Sequence, residues 1–218
     1  MAGFLLPQSD KFESQRQKMV RSQIMDRGVT NNSVLTAMSK VPRHLFVPKD
    51  YADEAYNDYP LPIGYGQTIS QPYIVAYMTE VLKPGRKMKA LEIGTGSGYQ
   101  AAVLAEIVEK VYTIEIVPEL VKESSERLKK LGYKNIICKY GDGYLGWPEY
   151  APFDIIIVTA AAENIPQPLI EQLSERGRLV IPVGTPHGVQ ELLLLEKKDG
   201  KIERKRLTFV RFVPFKRL

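Results

Sequence analysis

The sequence predicts a doubly wound α/β domain on a mostly parallel, seven-stranded sheet, with helices in front of it and an antiparallel hairpin behind. Three observations carry this. An apolar run at residues 88–93 ends in three glycines at alternate positions, Gly94, Gly96 and Gly98, and a helical pattern starts directly after them. Strand-like and helix-like runs then alternate along the chain, the order of a parallel sheet with crossover helices. The run at 153–159 is apolar on both of its faces, as a strand in the middle of a covered sheet must be.

The elements follow in order. Residues 12–27 read as a helix with Met19 and Ile24 on one face and Gly28 as C-cap. Residues 31–40 read as a second, with Asn31 or Asn32 as N-cap and Val34, Leu35 and Met38 inward, stopped by Pro42. Residues 41–61 are irregular, rich in Pro, Tyr and Asp. After the segment Gly64 to Pro72, a helix runs to about Leu82, and Pro84-Gly85 turns the chain into the first sheet strand. Beyond the glycine turn come a strand at 111–115, a helix at 118–131 with Pro118 in its first turn and Gly132 as C-cap, and a strand at 135–140. The strand at 153–159 is followed by a short helix at 166–173 and a strand at 177–183. Strands at 190–196 and 207–213, with Asp199-Gly200 between them, close the domain as a hairpin near the sheet edge. The 218 residues are read as one domain, with 1–85 as a helical, substrate-side segment and 86–218 as the cofactor-binding core.

Composition narrows the classes. The single cysteine, Cys138, rules out an internal disulfide framework and sits in an apolar run as a packing residue. No stretch is long enough to cross a bilayer, and Phe4-Leu5-Leu6 is too short for a signal core. His44 reads as structural, and His187 lies in a Pro-Gly turn, so no metal site is legible. Net charge is +5, but residues 197–218 carry +7 and the remainder −2. Such a basic segment can bind nucleic acid; the reading preferred here is an edge strand guarded by cations against pairing.

The glycine turn is the place for a ligand. Glycine serves where the chain takes positive φ or a ligand nears the backbone, and the helix start adds unpaired N–H groups. The spacing is Gly-x-Gly-x-Gly behind an acid, Glu92, not the Gly-x-Gly-x-x-Gly of dinucleotide sites. Glu-x-Gly-x-Gly-x-Gly resembles the first motif of S-adenosylmethionine-dependent methyltransferases, which implies a Rossmann-like methyltransferase fold. In a doubly wound sheet the ligand lies off the carboxyl ends of the strands. That selects Gly94, Thr95, Gly96 and Ser97 after the first strand, with Glu92 beside the cofactor's ammonium. It also selects Glu115 after the second for the ribose hydroxyls, Asp142 and Gly143 after the third for adenine, and Thr159 after the fourth for the methionine end. Each acid has a plainer reading: Glu115 as a surface acid before a helix, Asp142 as the holder of an Asp-Gly turn.

Gly66-Gln67-Thr68-Ile69-Ser70-Gln71-Pro72 is similar to the N-terminal signature of the protein-L-isoaspartate (D-aspartate) O-methyltransferase family. Leu91-Glu92-Ile93-Gly94-Thr95-Gly96-Ser97-Gly98, Gly141-Asp142-Gly143, Ala151-Pro152-Phe153-Asp154-Ile155-Ile156-Ile157-Val158-Thr159, Ile181-Pro182-Val183-Gly184 and Arg211-Phe212-Val213-Pro214 resemble further stretches of that family, over residues 12–215. The resemblance implies S-adenosylmethionine as cofactor and isoaspartyl-containing proteins and peptides as substrates. The methyl would go to the free α-carboxylate, and the ester would close to a succinimide that reopens partly as aspartate. It also implies an unusual order of the last two strands. Ser70 would be catalytic, aiming the carboxylate, with Thr68 and Ile69 as pocket wall and Val213 offering backbone. From the residues alone, the reading preferred for Ser70 is the cap of the next helix; the resemblance turns it to a catalytic role. A small-molecule or RNA methyltransferase and a non-catalytic binding module are the competing functions. The expected setting is a cytoplasmic monomer with no metal, no membrane and no nucleic-acid partner.

Overall fold

The computed structural model describes residues 11–185 and 188–218, so the readings placed on Phe4-Leu5-Leu6 and His187 fall outside the described residues. The first predicted helix is one continuous path with three hydrogen-bonding patterns. It runs as α1 (Glu13–Met19), a π-helical turn (Val20–Ile24) and a 3-10 turn (Met25–Arg27), ended by Gly28 at φ 93°. The wider middle turn lets Met19, Val20 and Ile24 all face inward. For α2 (Asn32–Lys40), Asn31 is the cap: its side chain accepts from the Ser33 and Val34 N–H groups. His44 stacks on Phe12 at 4.2 Å and meets the Tyr56 hydroxyl at 2.7 Å, so its role is in packing.

The segment before Pro72 holds a hairpin that the sequence reading lacks. β1 (Leu61–Gly64) and β2 (Gln67–Ile69) pair antiparallel around Tyr65 at φ 53° and Gly66 at φ 69°. Two consecutive left-handed residues make the tight turn that suits strand twist. Pro62 and a three-residue second strand leave too little alternation to be recognised. α3 (Pro72–Val81) follows at once.

The main sheet is formed by β3 (Lys89–Ile93), β4 (Lys110–Glu115), β5 (Ile136–Tyr140), β6 (Phe153–Val158), β7 (Leu173–Val183), β8 (Gln190–Lys198) and β9 (Lys201–Val210). The order across it is β5-β4-β3-β6-β7-β8-β9, parallel as far as β7 and antiparallel over the last two pairs. The last two strands thus lie side by side in chain order. α4 (Tyr99–Ala105), α5 (Pro118–Lys130) and α6 (Gln167–Glu171) make the crossovers. Successive residues of β6 feed opposite faces: Ile155 and Ile157 join the core under α4, α5 and the N-terminal helices, while Ile156 and Val158 join the core around Trp147 and Leu169. Full burial of each such side chain stabilises the fold by roughly 1.5–3 kcal/mol.

Three boundaries are corrected. α6 is shorter than the predicted 166–173 helix because β7 already starts at Leu173, its pairing with β6 interrupted beside Arg176 at φ 64°. β9 starts at Lys201 rather than 207, directly after a turn with Asp199 at φ 49° and Gly200 at φ 71°. Its basic residues have the composition of a loop, yet Arg204, Lys205 and Arg206 pair in register with Leu195, Leu194 and Leu193 and guard an edge strand. Val213 lies past the end of β9, and its carbonyl accepts instead from the Ala161 N–H at 2.8 Å.

Candidate active site

The chain order reverses between β3 and β6, and the crevice at their carboxyl ends is where such a sheet binds ligands. All three glycines of the turn are left-handed, Gly94 at φ 96°, Gly96 at φ 50° and Gly98 at φ 87°. At Gly94 a side chain is excluded twice over, because an added Cβ would stand 2.4 Å from Thr159 Oγ1. That hydroxyl is committed to the turn, near the carbonyls of Ile93 at 3.0 Å and Gly94 at 2.7 Å. Gly143 is held to glycine by space alone: its Cβ would meet Ile93 Cγ2 at 2.3 Å.

The acids divide by position. Glu92, expected beside the cofactor's ammonium, is fully buried beneath the turn and does not border the cavity. The Thr113 hydroxyl donates to it at 2.5 Å and lies 2.6 Å from Thr95 Oγ1, a short polar chain under the loop. Burial, countered in part by that hydrogen bond, pushes the Glu92 carboxyl up to about 8. Glu115 borders the cavity; it accepts from the N–H of Gly96 at 2.7 Å through one oxygen and from those of Ile116 and Val117 through the other. Asp142 serves its own turn, accepting the Tyr144 N–H at 3.0 Å, and its other oxygen takes Arg217 Nε at 2.7 Å; only Gly143 of the pair reaches the cavity wall. Thr95 and Ser97 are buried in the turn, and the Ser97 hydroxyl accepts from the Tyr99 N–H at 3.3 Å.

Two spaces meet here. An inner cavity is bordered by Gly94, Gly96, Glu115, Gly143 and Thr159. A larger outer cleft opens beside Ser70, Tyr73 and Phe212. Thr68, Thr159, Val213 and Pro214 border both. Ile69 is buried and borders only a small space beneath Ser70, not the cleft. Gln71 is the N-cap of α3 and no side chain caps that helix, so the Ser70 hydroxyl is not spent there. Sequence reasoning missed Phe215 and Lys216 on the inner wall, and the partnership of Arg217; nothing in their residue types marks them. Ile93, Ile114 and Ile116 also line that wall, and the strand-end rule could have found them. Among the described residues no group of three or more His, Cys, Asp or Glu is placed to hold a metal. Burial pushes the Cys138 thiol up, away from nucleophilic use.

The inner cavity lies off the carboxyl ends of the strands, where such a sheet takes its ligand. It has a carboxylate at the end of β4 and a glycine turn too crowded for side chains, which fits S-adenosylmethionine. Fold and site together define an S-adenosylmethionine-dependent methyltransferase of Rossmann-like fold. The chain belongs to the protein-L-isoaspartate(D-aspartate) O-methyltransferase family, whose model matches residues 14–217. It is 56% identical over 204 residues to a protein-L-isoaspartate O-methyltransferase of Opitutus terrae, covering 94% of this chain and 88% of that protein. It is also 56% identical over 199 residues to one of Gloeobacter violaceus, covering 91% of this chain and 97% of that protein. A solved protein-L-isoaspartate O-methyltransferase superposes with a TM-score of 0.82 at 30% identity, covering 91% of this chain and 65% of the other. A Plasmodium falciparum beta-aspartate methyltransferase in complex with S-adenosyl-L-homocysteine superposes at 0.80 with 29% identity, covering 93% of this chain and 99% of the other.

Proposed function

We propose that this chain methylates the free α-carboxylate of L-isoaspartyl residues in damaged proteins and peptides, with S-adenosylmethionine as donor, and so starts their repair through a succinimide. The observation that carries this is the shared wall: Thr68, Thr159 and Val213 border both the inner cavity and the open cleft, so a peptide carboxylate and an enclosed cofactor can meet there.

The residues divide the task. Gly94, Thr95, Gly96 and Ser97 would cradle the methionine end, Glu115 would accept from the ribose hydroxyls, and Gly143, held by the Asp142 turn, would flank adenine. Glu92 acts from below, through Thr113 and Thr95, to hold the turn. Bound S-adenosylmethionine supplies an electrophilic methyl group on a cationic sulfonium. The attacking carboxylate is ionised at neutral pH, its pKa being near 4, and needs no general base. The protein's work is therefore alignment and exclusion of water, worth roughly 7–11 kcal/mol at best. Ser70 would donate to one carboxylate oxygen. The Val213 carbonyl is tied to Ala161, and the Val213 N–H would donate to the substrate backbone.

The working unit we propose is a single domain, a cytoplasmic monomer without a nucleic-acid partner. One core joining Phe12 and Met19 to Ile155 and Val180 supports the single domain. No described helix is long and apolar enough to cross a membrane. The test uses labelled S-adenosylmethionine and two peptides that differ only in L-isoaspartate against L-aspartate. Base-labile label on the isoaspartyl peptide alone is the expected result; label on neither, with cofactor still bound, would return the choice to small-molecule or RNA substrates.

A further inference from the structure

We propose that the segment after β9 is a strap over the cofactor cavity and that Arg217 is its latch, a positioning residue that fastens it to the loop behind adenine. The inference rests on the cofactor occupying the inner cavity.

The strap is anchored in steps. As the chain leaves β9, the Phe212 N–H donates to the side chain of buried Gln190 at 2.8 Å. It then crosses the end of β6. There Ala161 N–H donates to the Val213 carbonyl and Phe215 N–H donates to the Ala161 carbonyl, both at 2.8 Å, on either side of a bridge between Ala161 and Pro214. Phe215 packs against the core around Trp147 and, with Lys216, borders the inner cavity. Finally Arg217 reaches the turn after β5. Its Nε donates to Asp142 Oδ2 at 2.7 Å, and its guanidinium lies 3.7 Å from the centre of the Tyr144 ring. One short segment thus ties the edge of the sheet to the loop that carries Gly143, passing over the cavity between them.

The two ends of the strap differ in kind. The hold on Ala161 is backbone pairing in a part-buried place. The hold on Asp142 is an ion pair whose acid is 7% exposed and whose arginine is 49% exposed. The second is the one that solvent and salt can loosen. Asp142 gives one oxygen to the Tyr144 N–H and the other to Arg217, so the latch closes on a carboxylate that its own turn already fixes. A molecule inside the cavity leaves when the latch opens, and product release is a step of this kind in many enzymes.

The test measures the dissociation rate of labelled S-adenosylhomocysteine from the full chain. Arg217→Ala is expected to speed release about three- to tenfold, and Arg217→Lys less, because lysine keeps the charge but loses the planar fork. Raising salt from about 0.05 M to about 0.5 M is expected to speed release from the parent protein and to have no further effect on Arg217→Ala. Lys205→Ala, on the outer edge, is expected to match the parent. Equal rates and equal salt dependence for Arg217→Ala and the parent would overturn the latch. A folded parent that binds no S-adenosylhomocysteine would overturn the cofactor reading and the latch with it.

Discussion

Glu115 Oε2 accepts a 2.7 Å hydrogen bond from the Gly96 N–H, joining the acid at the end of β4 to the glycine turn after β3. The group read as the ribose acceptor is therefore also a support of the loop. Glu115→Gln loses the charge and keeps one acceptor oxygen of the two, so its amide nitrogen faces either the Gly96 N–H or those of Ile116 and Val117. Its affinity for S-adenosylhomocysteine should fall about tenfold, the scale of a charge-assisted hydrogen bond, and its melting temperature should fall as well. Calorimetric titration beside a thermal melt checks both.

Ser70→Ala should reduce kcat/KM for an isoaspartyl peptide by about ten- to a hundredfold, as expected for losing a hydrogen bond to a charged group. Its affinity for S-adenosylhomocysteine should stay within about twofold, because Ser70 lies on the outer cleft and not on the inner cavity. Unchanged turnover would take Ser70 out of the reaction.

Gly143→Ala places a methyl 2.3 Å from Ile93 Cγ2, between two strand ends that are both fixed by the sheet. A cost of about 1–3 kcal/mol in stability is expected from such overpacking, together with weaker cofactor binding. Denaturant unfolding of the variant measures the first and titration the second.

Glu92 gives the fold a pH dependence of definite sign. Burial raises its carboxyl from 4.5 to about 8, so across that window the folded chain holds a proton that the unfolded chain releases. Its contribution is complete below about 4.5 and is lost as pH rises through about 8, by at most roughly 5 kcal/mol. Glu92→Gln, neutral at every pH, should therefore gain on the parent in melting temperature at pH above about 8 and lose that advantage near pH 4.5. A gap that does not change with pH would show that the carboxyl is not held neutral.

The cations of β9 are expected to keep its free edge from pairing. Arg204→Thr combined with Lys205→Thr puts good strand formers in place of two adjacent charges on an exposed edge. The double variant should keep its circular dichroism spectrum and scatter more light on concentration than the parent.

Much of the site was legible because it lies at strand ends, and strand ends are legible. Gly94, Gly96, Glu115, Gly143 and Thr159 each follow or close an apolar run, and each borders the cavity. At two of the acids the side chain is turned away from the inner cavity. Glu92 precedes the turn in sequence but points into the protein between β3 and β4, where Thr113 pairs with it in register. Asp142 sits at the right strand end yet turns to Tyr144 and Arg217. The β1–β2 hairpin was hidden because a proline and a three-residue strand carry almost no periodic signal.

The sequence by itself determined the sheet class, the glycine turn, the order of strands and helices, and the family, since these depend on local periodicity, on backbone angles open to glycine, and on contiguous motifs. The tertiary structure alone decided the order of the last two strands, the start of β9 inside a basic run, and the passage of residues 213–217 over the cavity to Asp142. Those outcomes depend on which distant groups satisfy one another: the Ala161 backbone with that of Val213 and Phe215, and the Asp142 carboxylate with Arg217, 75 residues further on. A hydrogen bond across such a separation leaves no pattern in the neighbourhood of either residue; it exists only once the strands between them have been laid side by side.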